Sequence, residues 1–250
     1  VTRALHATNV GDCDVITNLG FVRPIDARLV SWLKPTAVVA LMSEAWEFRM
    51  GDVDLDACRA RGIVVLATNE HASSWPVFRY CGPLAVRMLF DAGFEVLGTR
   101  VTVLGGDPFT PVIVEALAGA GAIVRHHAQR MPAQMLNSMI DAEVIVIAEY
   151  SRDDLVFGDA AMVTGADVAR VAPYATVVQF AGAIDTDSLI RHGIPVWPRP
   201  PVGAHRMSRT LAHLGPRPVV ELHAAGLKVG ALGARARHSG LLPSAAAADA

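Results

Sequence analysis

Apolar residues gather along the chain in short runs of four to six positions, and these alternate with stretches of helical period. The runs Asp14 to Thr17, Ala37 to Met42, Ile63 to Ala67, Arg100 to Leu104, Ala122 to His126, Glu143 to Ala148, Thr176 to Phe180 and Ile194 to Trp197 predict strands. Several are apolar throughout, as expected of strands covered by helices on both faces. Between them, Ile25 to Leu33, Leu55 to Arg61, Val112 to Ala118, Ala133 to Ile140, Ala166 to Val171 and Thr186 to Arg191 predict helices. Leu55 to Arg61 is well marked, with Asp54 ahead of it as N-cap and Gly62 behind it. Strand and helix repeated in this way are the pattern of βαβ units on a parallel sheet, so the expected class is α/β.

Residues 76–98 form the longest stretch without a strand, and Gly82 and Pro83 suggest that one helix stops there and another starts. That stretch is where two domains would join. After Trp197 the run PRPPVGAHR reads as a loop, followed by a helix pair, Ser208 to His213 and Val219 to Val229. From Gly230 the chain is low in complexity and is expected to be a mobile tail. The resulting division is a smaller domain over 1–75, a larger one over 76–198, helices over 199–230 that return to the smaller domain, and a tail over 231–250.

Composition narrows the class further. Of 250 residues, 52% are hydrophobic and 18% charged, against roughly 25% charged in an average globular protein, which excludes a disordered or charge-driven chain. The 22 Lys and Arg nearly balance the 24 Asp and Glu, with no basic run, and a phosphate-backbone binder would not look like this. Apolar stretches such as Pro35 to Met42 fall far short of the ~20 residues that span a bilayer. The start, VTRALHATNVGDCDV, has no apolar signal region, so a cytoplasmic location is expected; it also lacks an initiator Met, as a trimmed chain would. Cys13, Cys58 and Cys81 are odd in number and widely spaced, which points to free thiols. No zinc-binding, nucleophile-elbow or P-loop motif is present, His126 and His127 would face opposite ways on a strand, and Glu221 and His223 would face different ways on a helix. No metal site is expected.

The stretch GDVDLDACRARGIVVLATNE resembles a segment of the D-isomer-specific 2-hydroxyacid dehydrogenases, G-x-D-N-I-D-x-x-A-x-x-x-G-I-x-V-x-N, with Gly51, Asp52, Asp54, Ala57, Gly62, Ile63, Val65 and Asn69 in register. LGTRVTVLGG resembles that family's run into its dinucleotide-binding turn, and DVARVAPYATVVQFAGAIDTDSLIRHGI resembles its L-x-x-M-K-x-G-A-x-L-V-N-x-A-R-G-x-x-V-D-x-x-A-L. The resemblance runs roughly from Asp12 to Trp197. It implies a doubly wound, Rossmann-like dinucleotide domain, a smaller flavodoxin-like substrate domain that here begins partway through its usual start, a cleft between them, a small anionic substrate, NADP or NAD, and a homodimer.

The chemistry departs from the resemblance. The family's GxGxxG turn brings backbone and helix N-terminus to a pyrophosphate, whereas here it reads Gly105, Gly106, Asp107, Pro108, Phe109, Thr110. Asp107 with Pro108 makes one helix start and Thr110 with Pro111 a competing one, and the sequence leaves both open. A carboxylate at Asp107 would repel a phosphate. At the end of the next strand, where NAD enzymes hold the ribose with an acid, Arg125 stands instead and suits a 2′-phosphate. Where the family's A-R-G turn carries its substrate-binding Arg, this chain reads Gln179, Phe180, Ala181, Gly182, so the Arg is absent. The family's orienting acid has no counterpart between Asp187 and Glu221, and its His falls on Val202, leaving His205 as the nearest proton donor.

Further candidates follow the second and third strands, at the carboxyl ends where open α/β sheets bind ligands. In SEAWEFRMG, Trp46, Glu47 and Arg49 offer a stacking face, an acid or base and an anion clamp; the plain alternative is a Glu47–Arg49 ion pair with Trp46 in the core. In TNEHASSW, Asn69 and His71 are candidates, and Arg79 beyond them is a further anion holder. The expected function is therefore an NAD(P)-dependent oxidoreductase, with His205, His71 and Glu47 as catalytic candidates and Arg49, Trp46, Asn69 and Arg79 around the substrate. The cofactor set would be Gly105, Gly106, Asp107, Thr110, Arg125, Gln179 and Gly182. The alternatives are a protein of this fold that has lost its dinucleotide and binds a small ligand or a partner chain, and a non-redox enzyme built on the same cleft.

Overall fold

The computed structural model describes residues 5–18, 22–72, 76–129 and 131–241. The chain divides into two compact units, Val1–Val77 with Arg217–Ala250, and Phe78–Pro216.

The first unit is built on three parallel strands, β1 (Val15–Thr17), β2 (Val38–Ala40) and β3 (Val64–Leu66), in the order β1-β2-β3. Helices α1 (Ala7–Val10), α2 (Ala27–Trp32) and α3 (Leu55–Ala60) flank them, and Asp26 and Asp54 cap α2 and α3 by accepting the amides of Leu29 and Ala57. One side of the sheet closes over Ile25, Leu29, Val30, Leu33, Val39 and Cys58, all buried. A long helix (Pro216–His238), numbered α9 below, packs its glycines on the sheet. A Cβ on Gly226 would come within 2.2 Å of the Met42 sulfur, one on Gly230 within 2.4 Å of Val15 Cγ1, and one on Gly233 within 2.5 Å of Leu66 Cδ1. The expected helix Val219 to Val229 lies within α9, and the expected tail from residue 231 is corrected: Gly230 and Gly233 let the helix approach the strands closely and run on to His238, where the sequence suggested a stop. Residues 1–4 and the expected tail beyond 241 lie outside the described residues, as do Ser73 to Trp75 of TNEHASSW.

The second unit carries a five-stranded parallel sheet, β4 (Arg100–Leu104), β5 (Ile123–His127), β6 (Val144–Ala148), β7 (Thr176–Ala181) and β8 (Val196–Trp197), in the order β5-β4-β6-β7-β8. Strand β6 is buried along its whole length, as a central strand covered on both faces must be. Helices α4 (Cys81–Asp91), α5 (Phe109–Gly119), α6 (Pro132–Met139), α7 (Gly165–Val171) and α8 (Thr186–Arg191) provide the cover. Helix α4 runs through Gly82 and Pro83 without the expected break, because both lie in its first turn, where a proline has no intrahelical amide bond to lose. Gly82 also meets α5 closely: a Cβ there would lie 2.7 Å from that of Ala116. Residues 199–216 belong to this unit, including a 3-10 turn at Leu211–Leu214, so they do not return to the smaller one. The architecture is α/β and Rossmann-like, and the strand order reverses between β4 and β6, which makes their carboxyl ends the ligand-binding switch point of such a sheet.

Candidate functional site

At the switch point, the turn after β4 lies against the strand end of β6. A Cβ on Gly105 would fall 1.9 Å from the carbonyl oxygen of Ala148, so only glycine fits, whereas at Gly106 the nearest atom is Ala128 O at 3.4 Å. Asp107 is buried at 6% exposure. Its Oδ2 accepts the amides of Tyr150 and of Ser151, the latter at 3.1 Å, and its Oδ1 accepts the Ser151 hydroxyl at 2.5 Å. Helix α5 starts at Phe109 behind Pro108, so the first of the two possible starts is the one used. Phe109 itself fills the crevice: its ring stacks on Phe78 with centroids 5.2 Å apart and meets Phe180 and Tyr150 edge-on at 5.5 and 5.8 Å.

The other expected cofactor residues are occupied by structural bonds. Thr110 is buried, with its hydroxyl 3.4 Å from Ala148 O. Arg125 donates to the Ile140 carbonyl at 2.5 Å, while His126, facing the other way along β5, holds the Gly105 carbonyl at 2.9 Å. Gln179 is fully buried: its amide nitrogen donates to the carbonyls of Gly182 and Val202 at 2.7 Å each, and its carbonyl accepts Val202 N at 2.9 Å. It therefore pins the loop that follows β8 and has no group left for a ligand. Gly182 takes a positive φ of 103° where the chain passes Glu149.

A dinucleotide laid across this turn would place its diphosphate where the Asp107 carboxylate sits. At 4 Å and an effective dielectric of ~20, two unit charges of like sign repel by about 4 kcal/mol, close to a thousandfold in affinity. The residues present do not fit a dinucleotide held in the Rossmann manner.

His205 does have an acidic partner, which the sequence reading missed. Its Nε2 lies 2.8 Å from Oδ1 of Asp153, just past β6, and its ring meets Tyr150 edge-on at 5.8 Å. The sequence offers no orienting acid between Asp187 and Glu221, whereas the fold supplies one from just past a strand end some fifty positions before His205.

In the first unit, the carboxyl ends of β2 and β3 bring a second group together. A 3-10 turn at Ala45–Glu47 holds Trp46, which is half-buried, and Glu47, whose Oε2 accepts the amide of Glu44 at 3.0 Å. Glu44 in turn accepts the Glu70 amide at 2.7 Å and faces Nδ1 of His71 at 3.1 Å. Asn69 caps the same loop by accepting the His71 amide at 3.1 Å. Arg49 is not part of this group: it donates to Asp52 at 2.6 and 3.1 Å, beside Arg23, so neither an anion clamp nor a Glu47–Arg49 pair is seen. Glu70, also missed in the sequence, is buried, and its carboxyl is pushed up to about 9 by desolvation, then by Glu47 and Glu44. Arg79 lies exposed on a 3-10 turn (Val77–Tyr80). Among the described residues no group of three or more ligating side chains could hold a metal ion, and no helix is long and apolar enough to cross a membrane.

No family model and no curated protein sequence matches the chain. Solved structures do. The TT0316 protein of Thermus thermophilus superposes with a TM-score of 0.58 at 15% identity, over 95% of this chain and 86% of that one. One of the subunits of dipicolinate synthase from Bacillus halodurans gives 0.56 at 14% identity, over 87% and 79%. The NAD+-bound 3-phosphoglycerate dehydrogenase of Entamoeba histolytica gives 0.50 at 13% identity, over 93% and 80%. The fold is that of the D-isomer-specific 2-hydroxyacid dehydrogenases. At such identities the likeness speaks to the fold, and function must be argued from the site.

Proposed function

We propose that this is a dehydrogenase-fold protein that has given up dinucleotide-dependent hydride transfer and binds a small ligand, with His205 and Asp153 able to exchange a proton with it. The observation that carries this reading is the Asp107 carboxylate, buried at the switch point and held by Tyr150 and Ser151. A hydride-transfer enzyme needs the diphosphate of its cofactor at that place. The loss is compounded over Gln179 to Gly182, where the substrate-binding Arg of the resembled turn is absent and the Gln179 side chain is spent on the Gly182 and Val202 carbonyls.

A second reading, an NAD(P)-dependent oxidoreductase acting on a small anionic substrate, is favoured by the His205–Asp153 pair, since a histidine oriented by an acid is what hydride chemistry on a 2-hydroxy acid uses for its proton. Thermal-shift and calorimetric titration with NADH, NADPH, NAD and NADP separates the two. The first reading expects no shift with any of them. A ligand at one hundred times Kd would add about 2.7 kcal/mol, and such a shift would restore the oxidoreductase reading and name its cofactor. Assembly as a homodimer belongs to the same proposal, and light scattering tests it.

A further inference from the structure

The backbone of His205 takes a left-handed conformation, with a φ of 55°. Residues with a side chain are uncommon there, and one persists only where its surroundings hold it. For His205 those surroundings come from the end of β7. On the amino side, Val202 N donates to Oε1 of Gln179 at 2.9 Å, and Val202 O accepts from Nε2 of Gln179 at 2.7 Å. On the carboxyl side, Met207 pairs with Ala181 in an antiparallel bridge, and Ser208 N donates to Phe180 O at 2.9 Å. The Ser208 hydroxyl donates to the main-chain carbonyl of Gln179 itself. Gln179 is fully buried, and its other amide hydrogen goes to Gly182 O at 2.7 Å, so its side chain has one orientation. A carboxamide can serve Val202 in this way because it offers a donor and an acceptor side by side, which neither a carboxylate nor an ammonium does.

We propose that Gln179 is the positioning residue of the His205–Asp153 pair. By fixing Val202 through its side chain and Ser208 through its main chain, it holds His205 in the left-handed turn that sets Nε2 2.8 Å from Oδ1 of Asp153 and the ring edge-on to Tyr150. This rests on the reading above, in which that pair handles a proton. Asp153 contributes little to holding the ring, since its side chain is 94% exposed and an exposed pair is weak. A proton-transfer group must nonetheless be kept within hydrogen-bond reach of its partner, and for a histidine on a loop that precision comes from the residues that lock its backbone.

The test reads the imidazole nitrogens of the full chain by long-range proton–nitrogen NMR at pH 8, without ligand, so it does not depend on turnover. His205→Ala assigns the His205 signals. In the wild type that ring is expected to carry its hydrogen on Nε2, the nitrogen facing Asp153, and Asp153→Ala should move the signals toward a mixture of the two tautomers. Gln179→Met, of similar shape but without the amide, should move the His205 signals the same way and leave those of His71 and His238, in the other unit, where they are. A loss of folding would move all three. Unchanged His205 signals in a folded Gln179→Met variant overturn the proposal while leaving the pair intact. Unchanged signals in Asp153→Ala would mean that the pair does not form in solution, and the reading above would fall together with this one. Should Gln179→Met not fold, Val202→Pro, which removes the amide that Gln179 accepts, decides it: His205 signals that move in the same direction support the proposal, and unmoved ones overturn it.

Discussion

Ser151 holds both oxygens of Asp107, its hydroxyl on Oδ1 at 2.5 Å and its amide on Oδ2 at 3.1 Å. An internal carboxylate has thereby taken the amides that the loop after a central strand could offer to an external anion. Removing it has two separable effects. Asp107→Ala leaves buried donors unpaired and should cost about 2 kcal/mol or more, lowering Tm by roughly 4 to 8 °C in a protein of this size. Asp107→Gly removes the charge as well as the bulk, and nucleotide affinity in a thermal-shift titration should rise relative to the wild type. Unchanged or weaker binding by that variant would show that charge at position 107 is not what keeps a dinucleotide out.

The turn itself gives a sharper test of the packing. Gly105→Ala must push a methyl group into the Ala148 carbonyl, 1.9 Å away, whereas Gly106→Ala meets only Ala128 O at 3.4 Å. Backbone cannot step aside as a flexible side chain does. Urea denaturation should therefore show a loss of about 3 kcal/mol or more for the first and under about 1 kcal/mol for the second. Equal losses would mean that β4 and β6 do not approach as closely here.

Much of this architecture was legible in the sequence, because apolar strands and capped helices are local signals. Among the described residues every strand falls where an apolar run is, from Val15–Thr17 to Val196–Trp197, with ends shifted by a residue or two. What was not legible depends on contacts distant in sequence. Gly230 looked like a helix stop because nothing local says that Val15 lies opposite it. Asp107 was recognised as an obstacle to phosphate, yet its partners Tyr150 and Ser151 belong to a loop more than forty positions away. Asp153 was not considered for His205, nor Glu44 for His71, for the same reason. Arg125 misled in the opposite direction: a basic residue at the right strand position suits a 2′-phosphate until its bond to Ile140 is known.

The His205–Asp153 pair separates stability from function. The Asp153 side chain is 94% exposed, so the pair adds little to folding, and Asp153→Asn should leave Tm within about 2 °C of the wild type. If the pair acts as one proton-handling unit, His205→Ala and Asp153→Asn both reduce turnover or ligand binding, and the double variant is no worse than His205→Ala alone. Additive losses would mean that the two side chains act independently.

Glu70 makes stability depend on pH in a direction opposite to that of a salt-bridged carboxylate. The ordinary value is 4.5 and the folded one about 9, so between these limits the folded chain keeps a proton that the unfolded chain has released. Its contribution to stability is whole below the lower limit and is lost as pH rises toward the upper one, with a slope of at most about 1.4 kcal/mol per pH unit. Glu70→Gln keeps the shape and abolishes the titration, so its stability should fall less steeply between pH 6 and pH 8.5 and exceed that of the wild type at the upper end. Urea denaturation of the two proteins at pH 6, 7 and 8.5 measures the difference, and parallel curves would show that the Glu70 carboxyl ionises without cost where it stands.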